Sequence, residues 1–519
     1  MNSKKSNSRK LVNMAFFGMP LLALVIVFLL SQRIGGRAWD EDFDYRGVAG
    51  QLDVAYRYIT GDAGANFTQV PNDFAYYGIV AVLPAYVAER VATYYGFPDA
   101  LAVYVFALHA VAFSCSVFTV LTTFFILLRA TGSRTAAGIG AGLLAIYPLW
   151  FGFSFFDHKD VPTAFFFTLA LYGGVGLLQA ADEDRTRRFF TLVLAMATIL
   201  IAGLKIIALI LVVPSWVAAF YVYLRGRDFK AALMIAAVTI AGITLVTPVA
   251  WSEPFNFVVK AINVMSRHAW SGCTLSAGTN MCTHGEDWIA AQYIATWYIA
   301  QVPLLIGLGA VLAVLTAPWR GRVQVLIAAS LAIPILLISL RNSTLYDGLR
   351  QILFTIPAMF ILATMFWLEI WRQTRSQIIP AVAVVLAAMF VWENVAMFPY
   401  NYVYFNLPTR MFAKENNIFT DFWGFSLREA AGLQLVNDPS LPVVGNPLHL
   451  VQPYLQQPHP VILWPGQMGV LPKASEYIIV SYVRDTSVPD GCSKEAFVTR
   501  QLPMGHVLKM SFAARCKIQ

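Results

Sequence analysis

Apolar runs of about 17–25 residues recur along the chain, and each is the length of helix that crosses the hydrocarbon core of a bilayer. They lie near 12–31, 101–128, 135–152, 161–180, 188–204, 206–224, 231–250, 291–316, 322–340, 351–369 and 377–397. In lipid, each backbone N–H and C=O must be paired within the protein, which a helix does by itself. The pattern therefore predicts an all-α polytopic membrane protein with about 11 transmembrane helices. Composition agrees: 58% of residues are apolar and 13% charged, against about 45–50% and 25% in soluble domains.

The net charge of +8 has to be placed before it is interpreted. With Lys4, Lys5, Arg9 and Lys10 inside, the loops on that same side carry Arg129 and Arg134, then Arg185, Arg187 and Arg188. Later ones carry Arg225, Arg227 and Lys230, then Arg320 and Arg322, then Arg372 and Arg375. Basic residues concentrate in cytoplasmic loops of membrane proteins, so the basicity expresses topology and no nucleic-acid partner is expected. The N-terminus is predicted cytoplasmic and the C-terminus extracytoplasmic. No small-residue cleavage site follows the first run, which is therefore expected to stay as an anchor. Residues 76–94 tempt a further span, but Pro84, Glu89 and Arg90 interrupt them. Counting them as a crossing would invert each later loop, so they are expected to form an amphipathic or re-entrant helix at the outer face.

Two parts follow. Residues 1–397 form the transmembrane module, with outer loops 32–100, 153–160, 252–290 and 341–350. Residues 398–519 form a small extracytoplasmic domain, in which VILW at 461–464 and EYIIVSYV at 476–483 suggest the strands of an α/β module. Cys273, Cys282, Cys492 and Cys516 all fall outside, where an oxidising compartment permits disulfides. They allow three connectivities. Cys273–Cys282 within one loop and Cys492–Cys516 across the tail are the expected pair, with free thiols as the alternative.

Function is expected where the outer loops hold groups that a membrane environment excludes. Asp40, Glu41, Asp42 and Asp44 crowd the start of the first outer loop. Their repulsion calls for a metal, a cationic substrate or solvent, and such crowding raises one carboxyl toward the range of a general base. Asp157-His158-Lys159-Asp160 fill a short connection just before Pro162. Asp and His are metal ligands and Lys binds phosphate as a point charge; a helix cap with a snorkelling lysine is the plainer alternative. Lys205, and Arg341 and Arg350 around Tyr346 and Asp347, add cations near outer helix ends. Sugar transfer from a polyprenyl phosphate to a hydroxyl would use all three places: a carboxylate to take the proton, and cations or a metal for the leaving phosphate. There is no Gly-rich nucleotide loop where one would be needed, so no nucleotide cofactor is expected.

The same residues resemble a known family. WDE at 39–41, Tyr77-Gly78, DHKDVP at 157–162, YDGLRQILFTIP at 346–357, YNYVYFN at 400–406 and DFWG at 421–424 come in an order that is similar to the bacterial members of glycosyltransferase family 39, the dolichyl-phosphate-mannose:protein mannosyltransferase-like proteins. The resemblance implies a GT-C fold in the bacterial inner membrane, with a periplasmic C-terminus. It implies a polyprenyl-phosphate-linked sugar as donor and an envelope glycan, lipid or protein as acceptor, with membrane lipids around both. Asp40 would be the catalytic base, Glu41 its partner, and Asp160 the third acid. Lys159, Lys205 and Arg350, with Tyr346 and Asp347, would hold the lipid phosphate. A divalent ion (Mg, Mn, Ca or Zn) on Asp40, His158 and Asp160 would fit the same residues. Asp157 and His158 depart from the Asn and Pro of the family pattern, and Gln351 stands where His is common. A lipid-linked-sugar transporter or flippase is one rival reading. An O-antigen-ligase-like enzyme using Arg267, His268 and His284 is another.

Overall fold

The computed structural model describes residues 22–517 apart from 181–182, 227, 267–272, 277–278, 283–287, 413–420, 439, 456–461, 464–475 and 483–490. Six helices among them are long and apolar enough to cross a membrane: Ala100–Thr131, Asp160–Gln179, Ile206–Arg225, Phe229–Val246, Arg322–Leu340 and Ile378–Met397. Leu22–Ile34, Arg134–Ile146 and Leu304–Arg320 are shorter apolar helices. The protein is a multi-pass membrane protein. Local chemistry sets the helix ends. Asp99 accepts from the Ala102 N–H to open the longest helix, Gly132 closes it at a φ of 68°, and Ser133 caps the next.

Two expected spans are divided by proline. The run at 135–152 breaks at Tyr147, so that Pro148–Phe153 is a helix of its own. The run at 291–316 breaks at Val302–Pro303 into Ala290–Gln301 and Leu304–Arg320. A proline has no N–H to give and frees carbonyls one turn earlier. Asn406 receives them: its Nδ2 donates to Ile299 O at 2.6 Å and to Val302 O at 2.8 Å. Much of the YNYVYFN stretch thus serves the scaffold. Residues 76–94 give only the 12-residue helix Leu83–Tyr94, about 18 Å long and too short to span. It leaves Val87, Val91 and Tyr94 exposed.

The basic loops collect at one end of the bundle. Arg372 donates to Thr131 O, Arg129 to Gln179, Arg320 pairs with Glu369, and Arg187 pairs with Asp228. The segments 37–44, 157–160, 203–205 and 346–350 meet one another at other helix termini, away from these arginines.

Strands β1 (Cys273–Ser276) and β2 (Thr279–Cys282) form a hairpin that sets Cys273 opposite Cys282, and Cys282 is disulfide-bonded. The C-terminal region holds β3 (Val443–Asn446), β4 (Ile462–Leu463), β5 (Glu476–Tyr482), β6 (Cys492–Gln501) and β7 (Val507–Lys517). They make one mixed sheet in the order β4-β3-β5-β7-β6, parallel over its first three strands and antiparallel beyond. Cys492 and Cys516 are bonded across β6 and β7. The sheet is tied to the helices through Asp421, which accepts from the N–H groups of Trp423, Phe425 and Ser426. Ser426 in turn meets Ser511 of β7 at 2.8 Å.

Candidate active site

Asp40 sits just before the helix Glu41–Ile59 without a side-chain capping bond, and Glu41, Asp42 and Asp44 fill the first turn, where carboxylates suit the positive end of the helix dipole. Successive residues on a helix turn by about 100°, and the four acids accordingly part company. Asp40 Oδ2 lies 3.1 Å from Lys159 Nζ, and Asp44 Oδ1 lies 2.9 Å from the same ammonium. Asp44 Oδ2 also meets His158 Nε2 at 2.5 Å. Asp42 faces Arg37 at 3.9 Å. Glu41 turns inward, 1% exposed, and meets His109 Nε2 at 2.6 Å.

From the other side, Asp157 accepts the N–H of Lys159 at 3.2 Å and of Asp160 at 2.9 Å, which fixes the turn that opens Asp160–Gln179. Asp160 Oδ1 then accepts from Lys205 Nζ at 2.7 Å. Lys205 is brought to this level by close backbone contact. Gly78 N donates to Leu204 O at 2.7 Å, Val80 N donates to Gly203 O at 3.0 Å, and Tyr77 bridges Lys205. A Cβ on Gly78 would stand 1.9 Å from the Gly203 carbonyl oxygen. Gly78→Ala is therefore expected to pry the two segments apart, with a loss of about 1–3 kcal/mol seen as earlier thermal unfolding in the same detergent.

These groups line a small recess formed by Asp44, Tyr77, Gly78, His158, Lys159 and Lys205 among others. Lys159 Nζ lies 4.8 Å from the centre of the Tyr77 ring. Arg350 closes the set. It is 7% exposed, and its guanidinium lies 4.9 Å from the Tyr346 ring, 4.3 Å from the Trp423 ring and 3.8 Å from Asp347. Its Nε makes no hydrogen bond. Gln301 holds the turn before it, accepting the Leu349 N–H at 3.2 Å.

The charges tune one another. Desolvation would raise the Asp40 carboxyl, but the Lys159 and Arg350 cations and the Lys159 hydrogen bond hold it at about 2. Desolvation would lower the Lys159 ammonium, yet Asp40 and Asp44 push it up. His158 is likewise lowered by burial but raised further by Asp44. Asp157 behaves oppositely: burial, then the Asp160 charge, push it up from 3.8 to about 7. A carboxyl raised in the folded state favours folding below its unfolded pKa and loses that contribution as pH rises through its folded pKa. Asp157 should therefore cost stability progressively between about pH 4 and pH 7. Asp157→Asn is expected to flatten that slope, so the variant gains on the wild type in thermal unfolding at pH 8 more than at pH 5.

The structure thus brings together Asp40, Lys159, Asp160 and Lys205, with Arg350 and Tyr346 close enough to act on Asp40 and Tyr77 electrostatically. Asp44 and Tyr77 join them. The metal set suggested by the sequence is not assembled: among the described residues no group of three or more His, Cys, Asp or Glu is placed to hold an ion. Asp40, His158 and Asp160 each bind a different partner, and lysine ammonium groups lie against the carboxylates instead. Arg267, His268 and His284 lie outside the described residues.

The sequence matches no protein-family model and no curated protein. Among solved structures, ArnT from Cupriavidus metallidurans in the apo state aligns with a TM-score of 0.50 at 13% identity, over 97% of this chain and 98% of that one. The same protein bound to undecaprenyl phosphate gives 0.51 and 14% over the same shares. The chain shares the fold of ArnT. The alignment runs through the helices and the C-terminal sheet alike, so the ArnT-like fold includes both. The recess lined by Asp44, His158, Lys159 and Lys205 therefore sits on a scaffold of that fold.

Proposed function

We propose that the protein is a membrane glycosyltransferase that moves a sugar from a polyprenyl-phosphate donor to an acceptor hydroxyl, at the outer face of a bacterial inner membrane. The observation that carries this is Asp40: a carboxylate kept ionised by Lys159, with a quarter of its side chain exposed, beside a cavity lined by two lysines and flanked by Arg350. In the transfer, the acceptor oxygen forms a bond to the sugar C1 while the bond from C1 to the phosphate oxygen breaks. The phosphate leaves with that electron pair, and the acceptor proton passes to Asp40. Lys159, Lys205 and Arg350 offset the charge that grows on the phosphate. Lys159 has a double role. Paired with it, Asp40 is a weak base; when Lys159 turns to the donor phosphate, Asp40 regains basicity. Glu41, paired with His109, positions the helix end that carries Asp40.

Two further observations support the reading. ArnT, whose fold is shared, has been crystallised with undecaprenyl phosphate, a lipid with the chemistry of the proposed donor's leaving group. The arginines gathered at the opposite end of the bundle favour a cytoplasmic position for that end, which puts the cavity outside and residues 398–519 with it. The acceptor is a hydroxyl on an envelope glycan, lipid or protein. A transporter would instead place its ionisable groups near mid-membrane. The test is wild-type protein in lipid with a panel of polyprenyl-phosphate sugars, following consumption of each donor. Turnover of one donor is expected; binding without turnover would favour transport.

A further inference from the structure

Trp39 and Phe43 flank Asp40 in the chain, yet neither ring lines the lysine cavity. Trp39 meets His449 edge-on at 5.4 Å and Tyr482 at 6.3 Å. Phe43 meets His449 at 5.9 Å and stacks on Phe74 at 6.0 Å. His449 comes from the short helix Leu448–Val451 and Tyr482 from the end of β5, so the C-terminal region supplies part of this cluster. Trp39, Phe43, Phe74 and His449 all remain partly exposed. Polar groups border them. Arg46 lies 5.6 Å from the Phe43 ring, Arg37 pairs with Asp42, and both arginines and Asp42 act electrostatically on His449.

Partly exposed aromatic rings fringed by guanidinium and carboxylate groups suit neither a purely apolar ligand nor a simple ion. A pyranose ring combines the two demands. Its C–H face carries partial positive charge that meets the negative face of an aromatic ring, while its hydroxyls need donors and acceptors around the edge. A sugar stacked on this shelf would also lie beside the base, since consecutive Cα atoms are about 3.8 Å apart and Trp39 adjoins Asp40.

We infer that the shelf formed by Trp39, Phe43, Phe74 and His449 is the acceptor subsite, and that the reacting hydroxyl belongs to a sugar ring. The acceptor is then a glycan or glycolipid, and not a protein side chain. This rests on the glycosyltransferase reading and narrows it. It also gives the C-terminal region a task, because His449 and Tyr482 couple the sheet to the helix end that bears Asp40.

The experiment is saturation-transfer NMR on the full-length protein in lipid nanodiscs free of glycosidic detergent, with irradiation of the aromatic protons. The probes are the methyl glycosides of glucose, galactose, mannose and N-acetylglucosamine, with N-acetylserinamide for comparison. At least one glycoside should take up saturation at its ring C–H protons. That signal should weaken roughly tenfold in Phe43→Leu and in His449→Gln, as expected on losing an aromatic anchor, and persist in Asp40→Asn. Thermal unfolding of each variant shows whether its fold is retained, and either variant suffices. The inference is overturned if no glycoside takes up saturation, if neither folded variant weakens it, or if only N-acetylserinamide binds. Wild-type turnover of a donor without glycoside binding would sink this subsite alone. Glycoside binding without turnover of any donor would instead count against the transferase.

Discussion

Asp40→Asn is expected to lower kcat by about 10²–10⁴, the usual loss when a positioned general base is removed. The exchange is nearly isosteric and leaves Lys159 paired with Asp44 at 2.9 Å, so the fold should persist. The other acids are already engaged. Asp44 is 5% exposed and tied to His158, Asp160 holds Lys205, and Asp42 faces Arg37. Asp40, with a quarter of its side chain exposed, is more accessible than Asp44 and Asp160, and its partner Lys159 lines the recess. Turnover by single-donor assay in wild type and variant checks this. Equal rates would move the base to another acid, with Asp44 first.

Arg350→Ala is expected to reduce kcat/KM for the donor by about 10- to 150-fold, matching the roughly 1.5–3 kcal/mol of a charge-assisted hydrogen bond. The guanidinium is buried against Tyr346 and Trp423, with an Nε that makes no hydrogen bond. Stacking on the two rings limits how its planar fork can turn, and in the proposed reading that fork pairs with the donor phosphate. The alanine variant also deprives Asp347 of its neighbouring cation, so Arg350→Lys serves as the companion. Lysine restores the charge but not the fork, and should recover stability more than donor affinity. Recovery of both by lysine would mean that Arg350 contributes only charge.

The general form of this site was legible because acids and cations crowd short outer loops between apolar runs, where topology alone does not call for them. DHKDVP and the acids after Trp39 stood out for that reason, and they do meet through Lys159. What could not be read was direction. Glu41 and Asp40 are adjacent in sequence, but the helix begins between them, and one step of rotation sends Glu41 to His109. His109 itself lies within the long span Ala100–Thr131, where a lone histidine carries no local signal. Residue type alone points to Asp40, His158 and Asp160 as metal ligands, and residue type does not fix which partner each side chain meets. Pairing of Asp160 with Lys205 depends on the close approach of Gly78 to Gly203, which no spacing announces. The long apolar run at 291–316 looked continuous because hydropathy does not register Pro303. The distant Asn406 takes up the carbonyls of Ile299 and Val302, and the Tyr147 hydroxyl donates to Gln301 O. The C-terminal strands were legible from β5, whose apolar run is buried on the sheet, whereas their order was not.

The measurement that bears most directly on the central claim is the identity of the lipid released by wild-type protein. A polyprenyl-phosphate sugar that is consumed should be followed by mass spectrometry of the lipid product. Glycosyl transfer breaks the bond between C1 and the phosphate oxygen, so the predicted product is polyprenyl monophosphate, with the acceptor gaining a sugar and no phosphorus. Release of free polyprenol, with sugar phosphate on the acceptor, would contradict the account, as would donor that crosses the membrane unchanged.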